Sequence, residues 1–193
     1  MTAKSIKKRK YILSCAERVF IRDGFNGVTM KDIIEECKIS RGGLYIYFSS
    51  VDDIFLAVIK EHNKDKLELI QSNVHSGKSF KELLNDYFSY NKNRLLHMDQ
   101  SLLTATFEFF LSHKKEFDKN FFYTQFYNSK KIILEILNFG VDQNEISNKD
   151  IDLLSENIMF LIEGISTLAM SSGVTEELID KQIDFIKRQI YKN

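Results

Sequence analysis

Not one proline occurs in the 193 residues, and glycine occurs only eight times. Proline and glycine are the two residues that break helices, one through a missing N–H and a clashing ring, the other through excess backbone freedom. A chain so poor in both meets few interruptions to long helices, and the expected fold is all-α. Hydrophobic content of 44% with 28% charged side chains is that of a soluble globular protein. The length suits one or two domains.

Helical periodicity is readable almost throughout. Between Lys7 and Arg22, the apolar residues Ile12, Leu13, Ala16, Val19 and Phe20 recur at spacings of three and four, and Asp23-Gly24 stops the pattern. Thr29 with Asp32 is a capping-box arrangement ahead of Ile33, Ile34 and Cys37. Ser40 opens a short third helix to about Tyr47, and Ser50 caps a fourth that continues past Leu69. Ser79 with Glu82 opens a fifth, with Phe80, Leu83, Leu84, Tyr87 and Phe88 on one face. Asp99 is expected to cap a sixth. A seventh spans about Phe117 to Gln143, with Asn144 as its left-handed stop. Ser147 with Asp150 opens an eighth and Thr175 caps a ninth, so about nine helices are expected.

Several function classes drop out. Cys15 and Cys37 make neither a disulfide framework nor a zinc site. His62, His75, His97 and His113 lack the i, i+4 pairing of a helical metal site, and no P-loop, dinucleotide fingerprint or nucleophile elbow occurs. No enzyme activity, metal or cofactor is expected. No apolar run follows the basic start, so a secretory signal is not expected. The stretch Ile158 to Met170 is interrupted by Glu163 and is too short to span a bilayer. The chain is expected in the cytoplasm.

The formal net charge of zero hides a strong asymmetry. Residues 1–50 hold ten basic groups, among them Lys4, Lys7, Lys8, Arg9, Lys10, Lys31 and Arg41, against five acids. The remaining 143 residues hold 17 basic groups against 22 acids. The basic excess coincides with three short helices, the second and third joined by a tight turn, which is the pattern of a helix-turn-helix. The third helix has a side to bury, Ile39, Leu44 and Phe48, and a side to turn toward DNA, Arg41, Gly42, Gly43, Ile46 and Tyr47. Two successive glycines cost helix stability, and close approach to another surface explains keeping them.

Residues 10–55 resemble the N-terminal DNA-binding domain of the tetracycline-repressor (TetR) family of bacterial regulators. The resemblance is carried by Ile12-Leu13, Ala16, Phe20, Gly24-Phe25, Thr29, Asp32-Ile33, Ile39-Ser40-Arg41-Gly42, Leu44-Tyr45 and Phe48. It implies a DNA-binding domain at 1–50 and a ligand-binding and dimerisation domain at 51–193. It also implies that Thr29 and Ser40 cap their helices and bond phosphates, and that Tyr45 meets the DNA backbone. The expected DNA-binding set is Thr29, Lys31, Ser40, Arg41, Gly42, Gly43, Tyr45, Ile46 and Tyr47, with Arg41 suited to guanine. Two positions depart from the family: Val51 stands where a lysine is usual, and Gly43 where threonine or alanine is common. The basic arm Lys4 to Lys10 is a candidate substitute for the missing lysine.

Thirteen of the 24 aromatic residues lie between Phe80 and Tyr127. Most suit a core, but so many rings can also line an apolar cavity. The resemblance places an effector pocket among the fourth to eighth helices. Tyr87, Phe107, Glu108, Phe122, Phe126 and Glu163 are the candidate ligand residues, the two acids favouring a cationic effector or giving selectivity through hydrogen bonds. Ile158, Leu161, Ile165, Leu168, Ile183 and Ile186 are the candidates for a dimer interface on the last two helices. The expectation is a homodimeric repressor that binds a near-palindromic operator and is released by a small hydrophobic or cationic effector. Two rivals stand beside it: a redox-responsive DNA-binding regulator using Cys15 and Cys37, and a helical protein-binding adaptor.

Overall fold

The computed structural model describes every residue except Met1, Ser76, Lys114, Lys115, Asn148 and Asn193, and it also omits the side chains of residues 74, 75, 116–119, 122 and 192. Among the described residues there are nine α-helices, one 3-10 turn and no strand. The helices are α1 (Ala3–Asp23), α2 (Met30–Cys37), α3 (Arg41–Tyr45), α4 (Val51–His75), α5 (Phe80–Leu96), α6 (Leu103–Ser112), α7 (Glu116–Asp142), α8 (Ile151–Ser172) and α9 (Glu176–Lys192). They group into two compact units. The first comprises Met1–Lys64 with Asp99–Lys115, the second Asp65–Met98 with Glu116–Asn193.

The first unit is built on the stripe of α1. Ile12, Ala16, Val19 and Phe20 are fully buried, as are Ile33 of α2, Leu44 of α3 and Ile54 and Phe55 of α4. Phe20 meets Phe55 edge to face at 4.9 Å, and Phe25 meets Phe109 of α6 at 4.9 Å and 86°. Phe55 and Phe109 are 5.0 Å apart. Burying such a ring is worth about 1.5–3 kcal/mol, so these four side chains anchor the unit.

Two helix starts differ from the sequence reading. α1 begins at Ala3 and not Lys7, because the Thr2 hydroxyl accepts the Ser5 N–H at 3.3 Å. The basic stretch Lys4 to Lys10 is therefore helical. Asp99 does not cap α6. It sits in the 3-10 turn Met98–Gln100, and α6 starts at Leu103, whose N–H is taken by the Ser101 hydroxyl at 3.3 Å.

In the second unit the expected face of α5 is buried, with Phe80 and Leu83 fully so. It packs with Ile133 and Ile136 of α7, Ile158 and Ile162 of α8, and Ile186 and Ile190 of α9. The approach of α7 to α5 is close: a Cβ at Gly140 would lie 2.7 Å from the Phe80 ring. Ion pairs tie the edges. Lys130 of α7, nearly buried, reaches Asp152 and Glu156 at 2.8 Å each, and Lys92 of α5 reaches Asp180 at 2.6 Å and Glu176 at 2.8 Å.

Asn144 takes the expected left-handed conformation (φ 56). The capping box at Ser147 and Asp150 does not form. Asp150 is itself left-handed (φ 57) and gives no side-chain cap, while Ser147 accepts from Lys149 at 3.1 Å. α8 has 22 residues and a mean hydropathy of 1.3, enough by length and composition to cross a membrane. It nevertheless carries Asp152, Glu156 and Glu163 and turns Ile158 and Ile162 into the core.

Candidate nucleic-acid interface and effector-unit residues

The helix-turn-helix is assembled from caps. The Thr29 hydroxyl donates to Asp32 Oδ2 at 2.6 Å, and the Asp32 carboxylate also accepts the Thr29 backbone N–H at 2.8 Å. These bonds hold the Asp32 carboxyl below its usual range. α2 stops where Lys38 turns left-handed (φ 51), and its N–H returns to Glu35 and Ile34. Two residues later the Ser40 hydroxyl accepts the Gly43 N–H at 3.1 Å and starts α3.

α3 divides as the sequence predicts at Leu44, Phe48, Arg41, Gly42 and Ile46, and less sharply at Ile39, Gly43 and Tyr47. Leu44 is fully buried and Phe48 nearly so, while Arg41, Gly42, Tyr45 and Ile46 are exposed and Ile39, Gly43 and Tyr47 are half-buried. Ile46, at 79% exposure, presents a methyl-rich surface of the kind that meets a thymine methyl. The Arg41 guanidinium lies 5.4 Å from the Tyr45 ring centroid, so the two side chains share one side of the helix.

The two glycines have different reasons to be there. A Cβ at Gly43 would lie 3.1 Å from Ser40 Oγ and 3.8 Å from Lys8 Nζ, so the cap itself restricts this position. A Cβ at Gly42 would meet nothing within 4 Å. Any demand for smallness at Gly42 comes from outside the fold.

The cations of residues 1–50 fall into two sets. Lys10 pairs with Glu61 at 3.0 Å, Arg18 with Glu36 at 3.0 Å, Arg22 with Asp23 and Glu36, and Lys31 with Glu35 at 3.5 Å. Lys4, Lys7, Lys8, Arg9, Lys38 and Arg41 make no ion pair among the described residues. Lys8 stands beside Gly43, which brings α1 and α3 to a common basic surface. Val51, where the family has lysine, is half-buried at the start of α4.

Cys15 and Cys37 are buried on the inner sides of α1 and α2. Burial and the neighbouring Cys15 push the Cys37 thiol up to about 12, so little of the reactive thiolate forms.

The candidate ligand residues divide between the units. Glu108, expected to face a ligand, instead accepts the backbone N–H groups of Phe25 at 2.6 Å and Asn26 at 2.9 Å, within the first unit. Phe107 is half-buried on the same helix. In the second unit, Tyr87 is buried and its hydroxyl reaches Met159 Sδ at 3.9 Å. Phe126 is half-buried against Phe160 of α8, with centroids 5.4 Å apart. The Phe122 side chain lies outside the described residues. Glu163 has its carboxyl raised by desolvation, an effect opposed by the positive charge of Arg94. A cationic effector at Glu163 would therefore also meet a cation.

Of the interface candidates, Ile158, Ile165 and Ile186 are buried within the chain, Leu161 and Ile183 are half-buried, and Leu168 is exposed. The same two helices turn Phe160 (63% exposed) and Phe185 (53%) to the surface, together with Leu153 and Leu178. The strongest apolar stripe on each helix is the one facing the core. No sequence motif marks Arg94 or Asn91, although Asn91 sits one helical turn after Tyr87 on the buried face.

Known proteins match both units. The family described as bacterial regulatory proteins, tetR family, matches residues 12–58. The family described as tetracyclin repressor-like, C-terminal domain, matches residues 83–179. The uncharacterized HTH-type transcriptional regulator YuxN of Bacillus subtilis is 29% identical over 170 residues, 84% of this chain. The chain spans about half (53%) of the length of YuxN. Reduced NemR of E. coli has a similar fold, with a TM-score of 0.76 at 15% identity, covering 94% of this chain and 96% of NemR. FadR from Bacillus subtilis, solved in complex with stearoyl-CoA, has a TM-score of 0.69 at 21% identity, covering 92% of this chain and 96% of FadR.

Proposed function

We proceed from membership of the tetracycline-repressor family of bacterial transcriptional regulators, to which this DNA-binding chain belongs, and propose that it is a homodimeric, effector-released repressor acting in the cytoplasm. One observation supports the DNA face above others. α3 turns Arg41, Gly42, Tyr45 and Ile46 outward beside the unpaired Lys8, and the open space at Gly42 leaves room for a groove edge. In this reading residues 1–50 dock on DNA and residues 51–193 bind effector and partner. Arg41 reads a base, while Thr29, Lys31, Ser40, Tyr45 and Tyr47 meet the backbone. The acidic remainder of the chain repels phosphate and leaves the basic surface as the docking face.

The second copy is assigned to the outer sides of α8 and α9. Phe160, Leu168, Leu178 and Phe185 give an apolar surface, and a Cβ at Gly164 would meet nothing within 4 Å, so a partner helix has space to approach. The buried Ile158, Ile165 and Ile186 support this surface from behind, with Leu161 and Ile183 at its border. A two-fold pairing places two heads for the two half-sites of a near-palindrome.

Effector release needs a ligand that binds one arrangement of the protein better than the other. The aromatic second unit, with Tyr87, Phe122 and Phe126, suits a small and largely hydrophobic molecule. The fold shared with FadR, solved with an acyl ligand, agrees with that class. The helix α4, which runs from the first unit into the second, is the element assigned to carry the change.

The test is to select genomic fragments retained by the purified chain and footprint them. Two protected half-sites about one helical turn apart are expected, with affinity falling steeply and linearly in log salt. A protein-binding adaptor would retain no fragment above random DNA.

A further inference from the structure

The last turn of α5 carries a cation whose hydrogen bonding is incomplete. Arg94 donates through Nη2 to Asn91 Oδ1 at 3.1 Å, but its Nε is buried and has no acceptor among the described residues. A buried guanidinium N–H is costly to leave unmade, so the missing acceptor is a clue to what belongs there.

The surroundings narrow the choice. Asn91 is itself buried and holds the guanidinium from one side: its Oδ1 accepts from Arg94 Nη2 and its Nδ2 donates to the Tyr87 carbonyl at 2.9 Å. It orients the guanidinium, and its Oδ1 makes no bond to Nε. Glu163 of α8, itself exposed, lies close enough for Arg94 to lower its pKa, yet the two make no ion pair among the described residues. Beside them, Tyr87 and Met159 belong to the apolar cluster of this unit. The polar set is thus one held cation whose Nε lacks an acceptor, beside apolar side chains, with the exposed Glu163 carboxyl at its edge. Both planar donors and a carboxylate acceptor fit each other in fork geometry, which a lone ammonium or hydroxyl does not match.

We propose that Arg94, held by Asn91 beside Tyr87 and Glu163, receives the carboxylate of an effector whose remaining body is apolar. The inference deepens the effector-released reading and rests on it. It also reverses the sign expected from Glu163 alone, since the ligand is an anion and not a cation. Asn91 acts as a positioning residue, while Arg94 touches the ligand.

The test is calorimetric titration of the full chain with three probes of one chain length: dodecanoate, dodecanol and dodecyltrimethylammonium, each below its micellar concentration. Dodecanoate is expected to bind about 10- to 100-fold more tightly than dodecanol, the range for a hydrogen bond to a charged group. Arg94→Gln is expected to erase that preference and Arg94→Lys to keep part of it. The wild-type comparison alone reads head-group preference, so a poorly folded variant does not spoil the result. Equal affinity for the three probes, no binding of dodecanoate, or undiminished dodecanoate preference in a folded Arg94→Gln variant would each overturn the assignment. Fragment retention by the wild-type chain is scored separately. Its failure sinks the repressor reading while leaving the carboxylate result intact.

Discussion

Glu108 Oε2 on α6 accepts the backbone N–H of Phe25 at 2.6 Å, joining residues 83 positions apart in the chain. The same oxygen takes the Asn26 N–H at 2.9 Å, so one carboxylate satisfies the turn that leaves α1. Gly24, at φ 71, lets the backbone come this near: a Cβ there would lie 2.6 Å from the same oxygen. Glu108→Ala is expected to destabilise the chain by about 1–3 kcal/mol, the cost of stranding N–H groups bonded to a charged acceptor. Glu108→Gln, which keeps an acceptor but not the charge, should lose less. Urea unfolding midpoints read both changes, and an unshifted midpoint for the alanine variant would show the carboxylate to be idle.

Two helical glycines should respond to alanine with opposite signs. At Gly140 the new methyl would meet the buried Phe80 ring at 2.7 Å, and Phe80 has nowhere to retreat. Overpacking of this kind costs about 1–3 kcal/mol. At Gly164 the methyl meets nothing within 4 Å, so the helix-propensity gain of about 0.8–1.0 kcal/mol is free to appear in the folding of the chain. If α8 pairs with its copy at Gly164, the same methyl weakens the dimer. Thermal unfolding at low concentration and sedimentation at high concentration separate the two effects.

Local chemistry made most of the architecture legible in advance. The caps at Thr29, Ser40 and Ser79, the stop at Gly24 and the faces of α1 and α5 all follow from residues within a turn of one another. The exposed side of α3 was legible for the same reason. Contacts between distant segments were not. Nothing near Glu108 in sequence announces that its partner is the turn at Phe25, and so an acid among phenylalanines reads as a ligand group. Apolar stripes on α8 and α9 point to burial without saying whether the chain's own core or a second copy does the burying. Ile158 and Ile186 go into the chain's own core, while Phe160 and Phe185 of the same helices stay exposed.

Carboxyl groups of opposite perturbation predict a pH signature. Hydrogen bonds from Thr29 lower Asp32 from its ordinary 3.8, so its stabilising effect is fully present above that value and is lost as the pH falls through the lowered one. Desolvation raises Glu163 from its ordinary 4.5, so ionising it opposes folding at neutral pH, and the penalty disappears as the pH falls to 4.5. Asp32→Asn should therefore lower the melting temperature at neutral pH, with the gap closing only in strong acid. Glu163→Gln should raise it only slightly, because the residue is exposed and solvent screens its charge, with the gap closing sooner. Melting curves recorded across the acid range test both, and a Glu163→Gln variant that melts below the parent chain would refute the desolvation argument.

The exposed side of α3 offers the sharpest separation of folding from function. Among the described residues Arg41 makes no ion pair and lies over the face of Tyr45, so Arg41→Ala should leave the melting temperature nearly unchanged. Its loss from a bidentate base contact should weaken specific operator binding by about 1–3 kcal/mol and relax the preference at one base pair. Gly42→Ala goes further, because the two effects take opposite signs. The added methyl finds open space within the chain and favours the helical backbone, so folding should be unharmed or slightly strengthened. The same methyl projects from the side that the glycine leaves open, and operator affinity should fall. Electrophoretic mobility shifts on a footprinted fragment, paired with thermal unfolding of the same preparations, resolve the two. A Gly42→Ala chain that binds the operator as tightly as its parent would mean that no groove edge approaches there, and α3 would have to dock through its Arg41 and Tyr45 side chains alone.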